Sequence, residues 1–300
     1  MQKSDHKVII WGHPLHSHTH SYIHYGFYKA FSSLGYNVQW VDDTDTDIDL
    51  NDSIVISERQ VIKNLPIVKN AKYFIHNYHL DFQNTEIGNV YNFLVYHKKY
   101  NWIGDEKVNN FFWYQKKTKT PVIMWATDLL PDEIDQQTES LYDDNKEDIY
   151  FVGSVQGNNL YNFAHICAND GKNFINLGGY TGDSDDENGT RFYDNQKSID
   201  AVKKSYISFD IREQQHLDNG YVPCRLFKNI SYGKYTGSNS YLMKEFFENR
   251  IIINSNLNEL YDNIVDGYKK CDKNKIRDDM NFIKNNHTYI NRVQDLLSVL

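Results

Sequence analysis

The sequence predicts an α/β protein built from two Rossmann-like halves of similar size, and three observations carry that prediction. Short apolar runs of strand length recur along the 300 residues, and helical or irregular segments separate them. A second alternating series begins at Ile149, after a stretch of low apolar content. A chain of this length is also long enough for two domains of ordinary size. We therefore expect open, mostly parallel sheets with helices on both faces.

The first half opens in the order strand, loop, helix, strand. An apolar run over 7–11 ends at Gly12, and apolar residues at helical spacing over 22–34 end at Gly35, before a second strand over 36–41. This order predicts a right-handed β-α-β unit, whose parallel strands place ligands at the carboxyl ends of the sheet. Further strands of this half are predicted at 53–57, 73–76, 93–96 and 122–125.

The acidic segment 131–148 has few apolar residues and is interpreted as the link between the halves. The strands predicted beyond it are 149–152, 174–177, 206–211, 235–238 and 251–253. The helices predicted beyond it are those around 163–167 and over 195–204, 223–232, 257–268 and 275–300. We expect an N-terminal domain over 1–140, a second domain over 141–275 and a C-terminal helical segment over 276–300.

The composition excludes several classes of function. The net charge of −8 provides no general attraction to nucleic acid or to an anionic membrane. The three cysteines, Cys167, Cys224 and Cys271, are scattered without C-x-x-C spacing, which is typical of reduced thiols. No run approaches ~18 apolar residues, and the N-terminus lacks the layout of a signal peptide. We expect a soluble, cytoplasmic protein with no nucleic-acid partner and no transmembrane segment.

The helix predicted over 223–232 carries the strongest indication of a binding site. Pro223 stands at a first helical position, and Arg225 and Lys228 share one face of the helix. Two cations in the first two turns oppose the helix dipole, by ~0.3–1 kcal/mol each when exposed. A phosphate or diphosphate held between the helix N-terminus and the two side chains would remove that conflict. The alternative is that both side chains simply reach water.

Four pieces of sequence beyond Tyr150 form a series that resembles a known family. They are YFVGSV at 150–155, RLFKNISYGKYTGSNS at 225–240, FFENRIIINSNLNELYDNI at 246–264 and HTYINRVQDLL at 287–297. This half of the chain resembles the C-terminal half of GT-B glycosyltransferases, in particular the CgeB/YkvP-like group related to glycosyltransferase families 1 and 4. The resemblance implies the GT-B architecture, in which two Rossmann-like domains face each other and a C-terminal helix crosses back to the first.

The resemblance also implies a nucleotide-sugar donor site in the second domain. Arg225 and Lys228 would offset the charge that develops on the diphosphate leaving group, so no metal ion and no other cofactor is expected. The other residues implied at the donor are Gly153, Ser154, Tyr235, Thr236, Gly237, Ser238 and Asn239. The family often has a glutamate where Lys228 stands, so the ribose contact of that glutamate is not predicted here. The sequence does not distinguish a UDP donor from a GDP donor.

Five histidines follow the first predicted strand: His13, His16, His18, His20 and His24. A histidine in this loop suits a general base on an acceptor hydroxyl, because its pKa lies near operating pH. The candidate catalytic residues are His13, His16 and His18, with Asp128 as an assistant to the base or an acceptor contact. Two other interpretations stay open: His16-x-His18 or His18-x-His20 as metal ligands, and polar loop residues with no chemical role.

The predicted function is metal-independent transfer of a sugar from a nucleotide-diphosphate donor to a hydroxyl of a glycan, a protein or a small molecule. The donor would bind the second domain and the acceptor the first. The enzyme alternative is a metal-dependent hydrolase, for which further candidate ligands are His76, His79, His97 and Asp128. The non-enzyme alternative is a protein that binds sugar nucleotides without catalysis, which Lys228 in place of the family's glutamate suggests.

Overall fold

The structure, a computed structural model, describes residues 7–13, 19–45, 47–78, 89–97, 106–153, 157–177 and 195–300. These residues form an α/β fold with parallel sheets, which confirms the predicted fold class at that level. The chain divides into two compact units: unit 1 is Met1–Leu130 with Thr288–Leu300, and unit 2 is Pro131–His287. The assignment of an acceptor-side domain and a nucleotide-sugar domain stays a prediction.

The strands in chain order are β1 (Lys7–Trp11), β2 (Asn37–Val41), β3 (Ile54–Glu58), β4 (Lys72–His76), β5 (Val90–Phe93), β6 (Glu106–Asn109), β7 (Phe112–Gln115), β8 (Thr120–Val122), β9 (Asp148–Val152), β10 (Asn173–Leu177), β11 (Ser208–Asp210), β12 (Thr236–Ser238) and β13 (Ile252–Ile253). The helices are α1 (Thr19–Ser33), α2 (Pro131–Asp135), α3 (Asn158–Asn169), α4 (Asn195–Lys204), α5 (Gln214–Asn219), α6 (Cys224–Ser231), α7 (Leu242–Phe246), α8 (Leu257–Lys270), α9 (Lys273–Asn286) and α10 (Tyr289–Leu297). In the described part of the chain, none of them combines the length and the apolar character that crossing a membrane requires.

The main sheet of unit 1 is parallel throughout and has the order β2-β1-β3-β4-β5. Its central strands β1, β3 and β4 are almost entirely buried, as expected for strands covered on both faces. Because β1 lies between β2 and β3, the direction in which the chain winds along the sheet reverses at β1. In open parallel sheets, the carboxyl ends of strands at such a reversal form a crevice that binds ligands.

Unit 1 also contains a three-stranded antiparallel sheet, β6-β7-β8, that the sequence analysis does not predict. The strand predicted over 122–125 is wrong in extent, since β8 ends at Val122. Residues 123–126 continue as buried irregular chain, in which Ile123 N donates to Leu94 O at 2.9 Å. A short apolar run indicates burial, but it does not distinguish a strand from an irregular core segment.

The C-terminal helix α10 packs on α1 within unit 1. A Cβ at Gly26 of α1 would lie only 2.2 Å from the ring of Tyr289, so α1 meets α10 at a position without a side chain. The helical segment predicted over 276–300 is interrupted, and α9 belongs to unit 2. Thr288 starts α10 with a capping box that involves Asn291, which explains why a new helix begins there.

Unit 2 contains two small parallel sheets, β10-β9 and β11-β12-β13. A backbone hydrogen bond of 2.7 Å from Tyr206 N to Asp148 O joins the chain before β11 to the start of β9. The core beneath them is aromatic, with the ring of Phe209 4.5 Å from that of Phe163 and 5.9 Å from that of Phe151. Strands β9 and β11 therefore lie side by side on a common core.

The acidic segment interpreted as a link is a packed part of unit 2, whose boundary falls at Pro131. Its carboxylates pair with cations of α9: Asp135 with Lys284 at 2.6 Å, and Glu139 with Arg277. These partly exposed pairs hold the segment against α9. The segment therefore begins at the boundary between the two units and is packed within unit 2.

Candidate functional site

The carboxyl end of β11 carries a buried carboxylate held by two arginines. Asp210 is fully buried, and it accepts hydrogen bonds from Arg225 Nη1 at 2.6 Å and from Arg212 Nε at 2.7 Å. Burial alone would raise the pKa of Asp210, but the two guanidinium groups outweigh it and the pKa lies below its ordinary value. Two guanidinium cations and one carboxylate leave this group, which we call the arginine pair, with a formal charge of +1.

Arg225 crosses from α6 to the end of β9. Its Nε and Nη2 donate to Val152 O at 3.2 and 3.1 Å, and its guanidinium carbon lies 4.1 Å from the ring centroid of Phe151. A Cβ at Gly153 would come within 2.2 Å of Nη2, and Gly153 has a φ of +144°. Only glycine suits that position, since the guanidinium occupies the space a side chain would need. The structure thus brings together Gly153 and Arg225, two residues that the sequence analysis places at the donor.

Asn239 positions the second arginine. Its Oδ1 accepts from Arg212 N at 2.8 Å, and its Nδ2 donates to Arg212 O at 2.8 Å. Glu213, which follows Arg212 in the chain, accepts hydrogen bonds from Asn159 N at 2.8 Å and from Leu160 N at 3.4 Å, at the start of α3. The carboxylate therefore satisfies amide groups at the positive end of that helix dipole.

The other residues predicted at the donor lie inside the fold of unit 2. Thr236, Gly237 and Ser238 form β12 and are buried. Tyr235 precedes that strand, at the opposite end from Asn239, and burial raises its pKa to about 12. Ser238 is the register partner of Asp210 in the parallel pairing of β11 with β12, so it lies next to the arginine pair, whereas Tyr235 lies at the far end of β12. Ser154 lies outside the described residues.

Lys228 lies one turn of α6 beyond Arg225. It is half-buried, and its Nζ is 6.0 Å from the ring centroid of Tyr232. Arg225 turns toward the strand ends instead, so the two cations that share a helical face in the sequence have different surroundings.

In unit 1, a histidine and a carboxylate meet at the point where the sheet order reverses. His13 follows β1, Glu58 ends β3, and His13 Nε2 lies 2.9 Å from Glu58 Oε1. Both side chains are buried, and Glu58 Oε1 also accepts from Gln60 N at 2.8 Å. The carboxylate orients the imidazole through this contact.

Two more histidines lie beside this contact. His20, in the first turn of α1, stacks on His13 with ring centroids 5.2 Å apart, and its ring is 5.4 Å from that of His76 at the end of β4. One ligand atom each from His13, His20 and Glu58 lies within 4.8 Å of the others. Burial is the main cause that lowers the pKa of His76 to about 3, and the nearby His24 lowers it further, so His76 is neutral. Neither ring nitrogen of His76 has a hydrogen-bond partner among the described residues.

The remaining candidate catalytic residues are Asp128, His16 and His18. Asp128 is buried, and its main-chain oxygen accepts from Lys29 Nζ of α1 at 3.1 Å. His16 and His18 lie outside the described residues.

Sequence reasoning missed Asp210, Arg212 and Glu58. The available signal is similar for both carboxylates: Asp210 directly follows Phe209 in SFD, and Glu58 follows the apolar run of IVISE after one serine. An acidic residue at the carboxyl end of a buried strand faces the edge where ligands of parallel sheets bind. That signal is weak alone, since many strands end in polar residues.

No protein-family model matches the chain, and comparison with curated proteins found no significant match. The GT-B architecture and membership of a glycosyltransferase family therefore stay predictions.

Proposed function

We propose that the protein is a glycosyltransferase of the GT-B type, which moves a sugar from a nucleotide-diphosphate donor to a hydroxyl acceptor. Unit 2 binds the donor and unit 1 binds the acceptor. The observation that carries the proposal is the arginine pair at the carboxyl ends of β9 and β11, beside Gly153 and the first turn of α6. Ligands of parallel α/β sheets bind at such strand ends, and an excess of positive charge there suits a diphosphate.

Arg225 is suited to a diphosphate leaving group by its orientation. Its contacts with Asp210 and Val152 use one N–H on each of its three nitrogens. A guanidinium has five N–H donors, so two have no partner among the described residues. The side chain is 18% exposed, which leaves it accessible at the strand ends. A cation fixed in advance stabilises negative charge that develops when the bond from the sugar to the phosphate breaks.

The acceptor hydroxyl requires a base, and His13 is the best-placed histidine of the described residues. In the proposed step, the acceptor oxygen bonds to the anomeric carbon, the bond from that carbon to the diphosphate oxygen breaks, and the diphosphate takes the electron pair. The acceptor proton passes to the imidazole, and Glu58 stabilises the resulting imidazolium. No metal ion takes part in donor binding.

Calorimetry with UDP and GDP in the presence of EDTA tests the proposal. We expect one of the two to bind the wild type, and Arg225→Ala to bind it roughly ten- to hundredfold more weakly, since charge-assisted hydrogen bonds contribute ~1.5–3 kcal/mol each. The matched control is Arg277→Ala, which removes a partly exposed arginine of unit 2 that pairs with Glu139. Loss of wild-type binding in EDTA, or unchanged affinity in a folded Arg225→Ala variant, would contradict the proposal.

A further inference from the structure

We propose that His13, His20 and Glu58 form a binding site for a divalent transition-metal ion, with Zn²⁺ as the best match and His76 as a further ligand. The site lies at the carboxyl ends of β1, β3 and β4 and at the first turn of α1. Its existence does not depend on the proposed glycosyl transfer.

The three side chains already converge. One ligand atom from each lies within 4.8 Å of the others, and the His13 Nε2 to Glu58 Oε1 distance is 2.9 Å. In a tetrahedral zinc site with bonds of ~2.1 Å, ligand atoms are ~3.4 Å apart. His20 is carried by α1, so its side chain can adjust toward the other two ligands without movement of the sheet.

The donor set selects the class of ion. Imidazole nitrogens with a single carboxylate are typical ligands of Zn²⁺, Co²⁺ and Ni²⁺, whereas Mg²⁺ and Ca²⁺ prefer sites made of oxygen. Glu58 and His13 are 2% and 7% exposed, so an ion between them would be shielded from water on the side of the sheet. The Glu58 carboxylate would also offset part of the charge of the ion.

His76 provides an independent indication of a ligand. It is 4% exposed, and neither of its ring nitrogens has a hydrogen-bond partner among the described residues. Buried polar atoms nearly always have a partner, so an exception of this kind points to a bound ion or water. The ring lies 5.4 Å from that of His20 and 4.8 Å from that of Trp125, on the side where the other ligands converge.

The surroundings hold the ligands in place. Gln60 N donates to Glu58 Oε1 at 2.8 Å, and Trp11 Nε1 donates to Val61 O at 3.0 Å, which anchors the turn after β3 to β1. Ligands carried by neighbouring strand ends and supported by such contacts need little reorganisation to bind an ion.

An ion at this site would have one consequence that rests on the proposed function. An imidazole nitrogen that binds a cation cannot accept a proton, so the ion would change the part His13 plays in transfer. We expect added Zn²⁺ to lower transferase activity while nucleotide binding by unit 2 stays the same.

Metal binding is tested on the full-length protein after treatment with a chelator and its removal. Titration with Zn²⁺ in a calorimeter, and with Co²⁺ by visible absorption, should show binding of about one ion per chain with the spectrum of a four- or five-coordinate site. His20→Asn and Glu58→Gln should each weaken binding at least ~100-fold, and His76→Phe should weaken it and change the Co²⁺ spectrum. The control is His165→Asn, an exposed histidine of α3, which should leave binding unchanged.

His20 is half-buried on the first turn of α1, so its substitution should preserve the fold, which melting without metal checks. Binding that survives both His20→Asn and Glu58→Gln, or that is lost only when His16 and His18 are replaced together, would overturn the proposal. The metal titration contains no nucleotide and the nucleotide titration contains EDTA, so each of the two proposals can fail without the other.

Discussion

The side chain of Arg292 is fully buried in unit 1, and its Nε donates a 2.8 Å hydrogen bond to the main-chain oxygen of Met124, which lies 168 positions earlier in the chain. The same guanidinium donates to Trp125 O at 3.2 Å. Burial lowers the pKa of Arg292 to about 10, so it remains charged at neutral pH. Arg292, which belongs to the segment HTYINRVQDLL at 287–297, thus satisfies carbonyl groups of the irregular segment 123–126.

Arg292→Leu should therefore destabilise unit 1 by ~1–3 kcal/mol, because the two buried carbonyl oxygens lose their donor. Arg292→Lys keeps one donor and should lose less. The check is the urea midpoint of each variant followed by tryptophan fluorescence, with Arg277→Ala as a partly exposed control that should change stability by no more than ~1 kcal/mol. A midpoint for Arg292→Leu equal to that of the wild type would show that the contact is dispensable.

Gly153→Ala should weaken both folding and nucleotide binding. The new Cβ would lie 2.2 Å from Arg225 Nη2, and the alanine would have to keep the φ of +144°. Either the guanidinium moves or the backbone is strained, which should lower the free energy of unfolding by ~1–3 kcal/mol. Gly171→Ala is the matched control, because Gly171 also has a positive φ but nothing lies within 4 Å of its Cβ. We expect Gly171→Ala to lower the melting temperature slightly and to leave nucleotide affinity unchanged. Equal effects of the two substitutions on affinity would be evidence against a site at Gly153.

Asp210→Asn should remove a pH-dependent part of stability. The folded-state pKa of Asp210 is below its unfolded value of ~3.9, so its contribution is fully present above pH ~4 and is lost as pH falls through the folded-state pKa. At pH 7 the substitution leaves Arg212 and Arg225 without their carboxylate and should cost ~3–5 kcal/mol. The difference between wild type and variant, measured by urea unfolding from pH 7 down to pH 3, should shrink at the acid end. A difference that stays constant over this range would mean that Asp210 is not charged in the folded protein.

Lys234→Met should stabilise the protein at neutral pH. Lys234 is 1% exposed, and its Nζ donates to Ser205 O at 2.6 Å. Burial, and then the charge of Lys146, lowers its pKa well below the ordinary value. The unfolded chain therefore binds more protons, and wild-type stability should rise with pH up to about 10. We expect a gain of ~1 kcal/mol at pH 7 and a flatter pH profile in the variant, since removing a buried charge offsets the lost hydrogen bond. A variant that is less stable at pH 7 but keeps the wild-type slope would refute this account.

Sequence periodicity was sufficient for most elements of the fold, because strands and helices with one or two buried faces carry their own pattern. The helix predicted over 195–204 coincides with α4, and the strand predicted over 7–11 coincides with β1. The predicted boundaries were wrong where the sequence showed only that a segment is buried, as at 122–125. They were also wrong where a helix cap interrupts a helical pattern, as at Thr288. A hydrophobic run records that a segment is buried, but not which neighbour it pairs with.

The candidate sites likewise combine features that the sequence predicts with contacts that only the tertiary structure shows. The sequence by itself determined that Arg225 would start a helix, that Gly153 would follow a strand and that histidines would crowd the end of β1. Only the tertiary structure decided that Asp210 would join Arg225, and that Glu58 would face His13 across 45 positions of chain. Both contacts depend on which parallel strands are neighbours. Strand order is set by the packing of the whole sheet, and no local pattern of residues encodes it.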